Sequence, residues 1–167
     1  MPRSLPLLFA AGLLWAGIAH ADPSAQVRAD KAWIRVLPAD LPAGGYVTLH
    51  NTGDTAVALV GASSTRYGHV MLHQSSTEGG MGRMNMVERL AIPAHGSVSL
   101  APGGYHLMLM HATPAVSPGD KVPVTLDFAD GSKLAVDFLA RPANAVDAGE
   151  TRATTKTDLD HSMPPGH

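Results

Sequence analysis

The chain has 167 residues, 45% of them hydrophobic and 16% charged, which suits one ordinary domain better than two. Its formal net charge of -2, with Lys and Arg scattered, offers no field for a phosphate backbone or a lipid surface. Nucleic acid is therefore not an expected partner. The chain contains no Cys, eight Met and nine His, and the first count excludes disulfides, thiolate nucleophiles and zinc ribbons.

In chain order, Arg3 precedes an apolar stretch from Leu5 to Ile18, and Ala19-His20-Ala21 forms a small-x-small cleavage pattern. Residues 1–21 read as a secretory signal peptide, cut after Ala21. The apolar run is shorter than the ~20 residues needed to cross a bilayer. The expected product is a soluble periplasmic protein with no membrane insertion after cleavage.

From residue 22 to 142 a single domain is expected. Short apolar runs recur at intervals of about ten residues between Gly, Pro, Asn and Asp, the rhythm of a β-sandwich or barrel. The strands predicted are Asp30–Leu37, Gly45–Asn51, Ala56–Ser64, His69–Ser75, Asn85–Ile92, Gly96–Leu100, Tyr105–His111, Lys121–Phe128 and Lys133–Leu139. Asp130-Gly131 between two alternating runs is a strong hairpin signal. No stretch carries a sustained helical period, so the fold class is all-β with eight or nine short strands and little helix. Residues 143–167 lack an apolar face and read as a flexible tail.

The chemistry concentrates between residues 69 and 111, where about forty residues hold six Met and five His. Strand alternation puts His106, Met108 and Met110 on one face, with Leu107 and Leu109 on the other. It likewise puts His69, Met71 and His73 opposite Val70 and Leu72. The Gly-rich segment between them adds Met81, Met84 and Met86. Met alone is an ordinary core filler, but imidazoles interleaved with thioethers at strand period point to a metal. Thioether sulfur is soft and selects Cu(I) over zinc or magnesium. Two His and two Met carry no charge, so the ion keeps its own +1 and affinity rests on softness and geometry.

The spacing resembles the PCuAC family of periplasmic copper chaperones, whose signature is a His, ten residues, a Met, twenty-one residues, then His-x-Met. Here His73, Met84 and His106-Leu107-Met108 carry the same spacings. Ala32-Trp33-Ile34-Arg35, Gly45-Tyr46-Val47-Thr48-Leu49 before Asn51, and Pro102-Gly103-Gly104-Tyr105 also resemble the family. The resemblance implies a cupredoxin-like Greek-key β-sandwich, with His73, Met84, His106 and Met108 as the ligands of Cu(I). It further implies delivery to the CuA centre of cytochrome c oxidase, through subunit II or Sco-type proteins. Periodicity alone leaves His69, Met71, Met81, Met86 and Met110 open as ligands.

Other functions fit less well. A blue-copper electron carrier needs a Cys ligand, and the chain has none. An enzyme is not expected: no nucleophile elbow, phosphate loop or His-Glu-x-x-His motif occurs, and Glu78 and Glu88 lack metal-ligand spacing to the His. A copper tolerance or storage protein without an oxidase client would need the same site. The tail repeats the His-x-Met pattern in His161-Ser162-Met163, with His167 beyond. These residues, beside Asp158 and Asp160, form a possible second site for Cu(II). A monomer is expected.

Overall fold

The computed structural model describes residues 26–38 and 41–149. The signal peptide at 1–21 and the tail residues His161, Met163 and His167 lie outside the described residues. Ten strands form: β1 (Val27–Arg35), β2 (Ala43–Asn51), β3 (Val57–Ser64), β4 (Tyr67–Ser76), β5 (Arg83–Met86), β6 (Leu90–Ile92), β7 (Ser97–Leu100), β8 (Tyr105–Ala112), β9 (Lys121–Phe128) and β10 (Lys133–Arg141). Among the described residues there is no α-helix, and a 3-10 turn spans Glu78–Gly80.

The strands follow the order β5-β4-β8-β2-β1-β10-β9-β3-β6, with β7 also pairing β2. All pairs are antiparallel except β1 with β10. The inward residues of the two halves meet in one core that includes Leu72, Leu107 and Leu109 from one side and Val122, Leu126 and Phe138 from the other. A single apolar cluster fed by both halves makes the architecture a β-sandwich.

The run Asn85–Ile92, predicted as one strand, is two. Strand β5 pairs β4, whereas β6 pairs β3, at opposite ends of the strand order. The Val87 amide still bonds the Leu72 carbonyl, at 2.9 Å. The exposed Glu88 and Arg89 then carry the chain across, so that Leu90 and Ile92 enter the core. Apolar spacing continues through the break, which is why the sequence pattern hides it.

Residues 143–149, predicted to open the tail, begin against the fold. Ala145 is 1% exposed and packs with Trp33 and Tyr46, with Ala148 alongside. The Trp33 and Tyr46 rings stand 4.5 Å apart, and the Arg35 guanidinium lies 5.5 and 5.4 Å from their centroids. Arg35 Nε donates to the Ala145 carbonyl at 3.1 Å. Asn51 supplies a buried polar staple: its amide nitrogen donates to the carbonyls of Thr55 and Ile92, at 2.8 and 3.3 Å. Its side-chain oxygen accepts from the Gly53 amide at 2.9 Å.

Candidate metal centre

The centre stands on β4, β5 and β8. Leu107 and Leu109 are buried at 0% and 1% exposure, which holds β8 with its other face, His106, Met108 and Met110, away from the core. Leu72 fixes β4 in the same sense and leaves His69, Met71 and His73 beside them. Strand register then decides which side chains meet. His73 lies directly opposite His106, Met71 opposite Met108, and His69 opposite Met110. On the other edge of β4, Met86 lies opposite His73 and Met84 opposite Ser75.

The result is a row of Met86, His73 and His106 across three strands, with Met71 and Met108 forming the next row. Met84 stands one row the other way, diagonal to His73. Diagonal neighbours on one face have Cα atoms about 7–8 Å apart, within reach of a long unbranched side chain. The ligands implied by the resemblance, His73, Met84, His106 and Met108, thus lie on one face of three adjacent strands. The same register puts Met86 nearer to His73 along the ladder than Met84, a relation that residue spacing does not express. Met71 and Met86 also line one groove, of about 260 Å³, with Val60, Val87 and Glu88.

The His73 and His106 ring centroids are 5.9 Å apart with planes inclined at 76°. His106 is buried, and its Nδ1 is 3.1 Å from the Gly104 carbonyl. A carbonyl only accepts, so Nδ1 carries the proton and the Nε2 lone pair is left for a metal. His73 Nδ1 is buried without a hydrogen-bond partner. An unsatisfied buried nitrogen is costly, and coordination to an ion would satisfy it. Burial, and secondly the neighbouring His106, lower the pKa of His73 below the ordinary 6.5, so the ring is neutral at pH 7.

The thioethers differ in setting. Met108, Met71 and Met110 are half-buried. Met81, Met84 and Met86 are exposed, at 67%, 52% and 66%, and make up three of the six large hydrophobic side chains exposed among the described residues. Side chains so placed do not fill a core. Met84 and Met86 lie on β5, which ends the strand order, so the centre opens at a sheet edge. Among the described residues no three His, Asp or Glu side chains gather as a metal site. The donor set is imidazole and thioether, which suits a soft monovalent ion and not a hard, carboxylate-bound one.

A cysteine-free β-sandwich with this His and Met face is a PCuAC-type domain with the cupredoxin-like fold. The chain belongs to the LpqE-like family, described as "Putative lipoprotein LpqE-like", whose model matches residues 27–140. It is 36% identical over 107 residues to "Putative lipoprotein Lxx21020" of Leifsonia xyli, covering 64% of each chain. It spans 64% and 51% of the length of the curated relatives it matches. The solution structure of apo-DR1885 from Deinococcus radiodurans is 32% identical, with 85% of this chain and 94% of that one covered and a TM-score of 0.55. The CuI-DR1885 solution structure, also 32% identical, covers 75% and 86% with a TM-score of 0.56. The apo PmoF2 PCuAC domain, 21% identical, has the same fold with a TM-score of 0.60 over 73% of this chain and 94% of that one.

Proposed function

We propose that the protein is a periplasmic copper chaperone that holds Cu(I) through His73, Met84, His106 and Met108 and passes it towards the CuA centre of cytochrome c oxidase. The observation that carries this reading is the cross-strand pair His73 and His106, one with an unpartnered nitrogen and one with a fixed tautomer, set among thioethers. Its 32%-identical relative DR1885 has been solved in a CuI form. The four ligands bring no charge, so coordination leaves the ion cationic and exchangeable. An exposed Met on the edge strand β5 is the ligand a recipient's thiolate displaces first, and Met86 stands ready one row away. Relatives titled lipoproteins point to the cell envelope. On this reading a leader cut after Ala21 releases the protein into the periplasm.

Cu K-edge absorption of the Cu(I)-loaded protein tests the ligand set: two sulfur and two nitrogen scatterers are expected. One sulfur should be lost in Met84→Leu and in Met108→Leu. Loss of sulfur in Met86→Leu with none in Met84→Leu would move the ligand to Met86. The client is tested by deleting the gene and assaying cytochrome oxidase at limiting copper. Normal oxidase activity would leave a tolerance or storage protein. The tail residues His161, Met163 and His167 are proposed to capture Cu(II), and truncation after Gly149 should remove that capacity while keeping Ala145 and Ala148 against Trp33 and Tyr46.

A further inference from the structure

Strands β4 and β8 carry a second pair of imidazoles at the end remote from His73 and His106. The Nδ1 atoms of His69 and His111 are 3.2 Å apart, and the rings meet edge to face with centroids separated by 5.3 Å. Both residues are exposed. Alternation along β8 would send His111 to the core side with Leu107 and Leu109. It turns outward because its backbone is left-handed, with φ of 58°. Such a conformation is uncommon for a residue with a side chain and is a mark of a position under constraint. Gly68 makes room for it: a Cβ there would stand 3.3 Å from the His111 Cβ and 3.9 Å from its Nδ1. A bare backbone at 68 and a left-handed residue at 111 together bring the two nitrogens into register.

The separation of those nitrogens has a chemical meaning. Two imidazole nitrogens, each ~2.0 Å from one ion at a tetrahedral angle of ~109°, stand ~3.3 Å apart; at a right angle they stand ~2.8 Å apart. The observed 3.2 Å is the bite of a tetrahedral ion, and a small closure of two exposed rings reaches the square-planar value. We propose that His69 and His111 form a second metal site, for a divalent imidazole-seeking ion. Cu(II) binds most tightly there because it leads the Irving–Williams order on nitrogen ligands. Without metal, one Nδ1–H donates to the other ring's Nδ1. Metal on both nitrogens moves that donor's proton to its own Nε2 and releases none. Among the described residues no further His, Asp or Glu joins the pair, so water fills the remaining positions and the ion exchanges readily.

This site is separate from the Cu(I) centre. His69 and His73 lie four residues apart on one strand, ~13 Å at ~3.3 Å per residue, too far to share an ion. It also differs from His50 and His95, which each meet one carboxylate, of Asp30 at 3.2 Å and of Asp54 at 2.8 Å.

The test is Cu(II) binding to the full chain, read by equilibrium dialysis and by electron paramagnetic resonance. The parent carries His161→Ala and His167→Ala so that the tail contributes no imidazole. His69→Gln and His111→Asn are the variants, Asn being tolerant of the left-handed backbone. Each should lose one equivalent of Cu(II) and the nitrogen-coupled signal that goes with it, with an unchanged thermal melt. His50→Gln and His95→Gln should keep both. Cu(I) competition titrations should be the same in all variants, so failure of this site is distinct from failure of the Cu(I) centre. Unchanged Cu(II) stoichiometry and spectrum in either His69→Gln or His111→Asn would overturn the proposal.

Discussion

On the proposed ligand set, protons and Cu(I) compete for the same ring nitrogens, so the pH dependence of binding counts the imidazole ligands. Thioethers take up no proton in this range. Each imidazole that must first lose a proton weakens apparent binding about tenfold, ~1.4 kcal/mol, per pH unit below its pKa. Two such ligands make the limiting slope about two decades per unit. His73 is held below the ordinary 6.5, chiefly by burial and then by His106, so its share of the loss starts only below that value. The expected profile falls with decreasing pH, and the His73 contribution to that fall begins below the ordinary 6.5. In His106→Ala the limiting slope should fall to one. A competition titration against a chromophoric Cu(I) chelator, corrected for the chelator's own protonation, measures this. Affinity that stays constant down to about pH 4 would refute ligation by both rings. The same shift acts on the apoprotein. Above pH 6.5, the ordinary value for His73, neither folded nor unfolded ring is protonated and stability is full. Below it the unfolded ring takes up its proton first, and stability declines until the lowered folded pKa is passed.

Stability and copper binding should separate cleanly by strand face. Leu109→Ala removes a side chain that is 1% exposed and should cost about 2–5 kcal/mol in denaturant unfolding. Met84→Leu, on an exposed edge strand, should change stability by less than about 0.5 kcal/mol while weakening Cu(I) binding. Asn51→Ala strands the Gly53 amide and two carbonyls; a loss of about 1–3 kcal/mol is expected from chemical denaturation, with the Cu(I) ligand set unaltered by K-edge absorption. Arg35→Ala removes the bond to the Ala145 carbonyl and should raise amide exchange and protease cleavage around residue 145, leaving Cu(I) affinity as in the parent.

The site face was readable in the sequence because the core side of the same strands is unambiguous. Leu72, Leu107 and Leu109 permit only one orientation of β4 and β8, and His73, His106 and Met108 follow by alternation. Three other features were not readable, each for a different physical reason. The division of Asn85–Ile92 into β5 and β6 depends on which strands receive them, and Val87 keeps its bond to Leu72 right up to the break. The contact of Ala145 with Trp33 and Tyr46 exists only once β1 and β2 are side by side, since a small residue in a polar segment carries no signal of its own. His111 escapes period-two reasoning because a left-handed backbone at one residue reverses the face its side chain takes.

Met84 and Met86 show how spacing and register bear on different properties of one site. Spacing singles out Met84, whereas the β4–β5 ladder sets Met86 opposite His73 and Met84 opposite Ser75. Both are exposed and both lie on the last strand of the sheet order, so neither is held by packing. On the proposed reading, an ion bound between His73 and His106 meets thioethers of opposite character. Met108 comes from a strand fixed on both sides by β2 and β4, whereas Met84 and Met86 come from an edge with no further neighbour. A fixed half and a free half are what transfer of a cargo ion requires: His106 and Met108 keep its position while the β5 thioether leaves and a recipient's ligand takes its place. In Cu(I) transfer to a thiol acceptor, Met84→Leu should therefore hasten release more than it shifts the remaining ligands. Met108→Leu should instead disorder the coordination itself, visible as loss of a single well-defined set of copper–ligand distances.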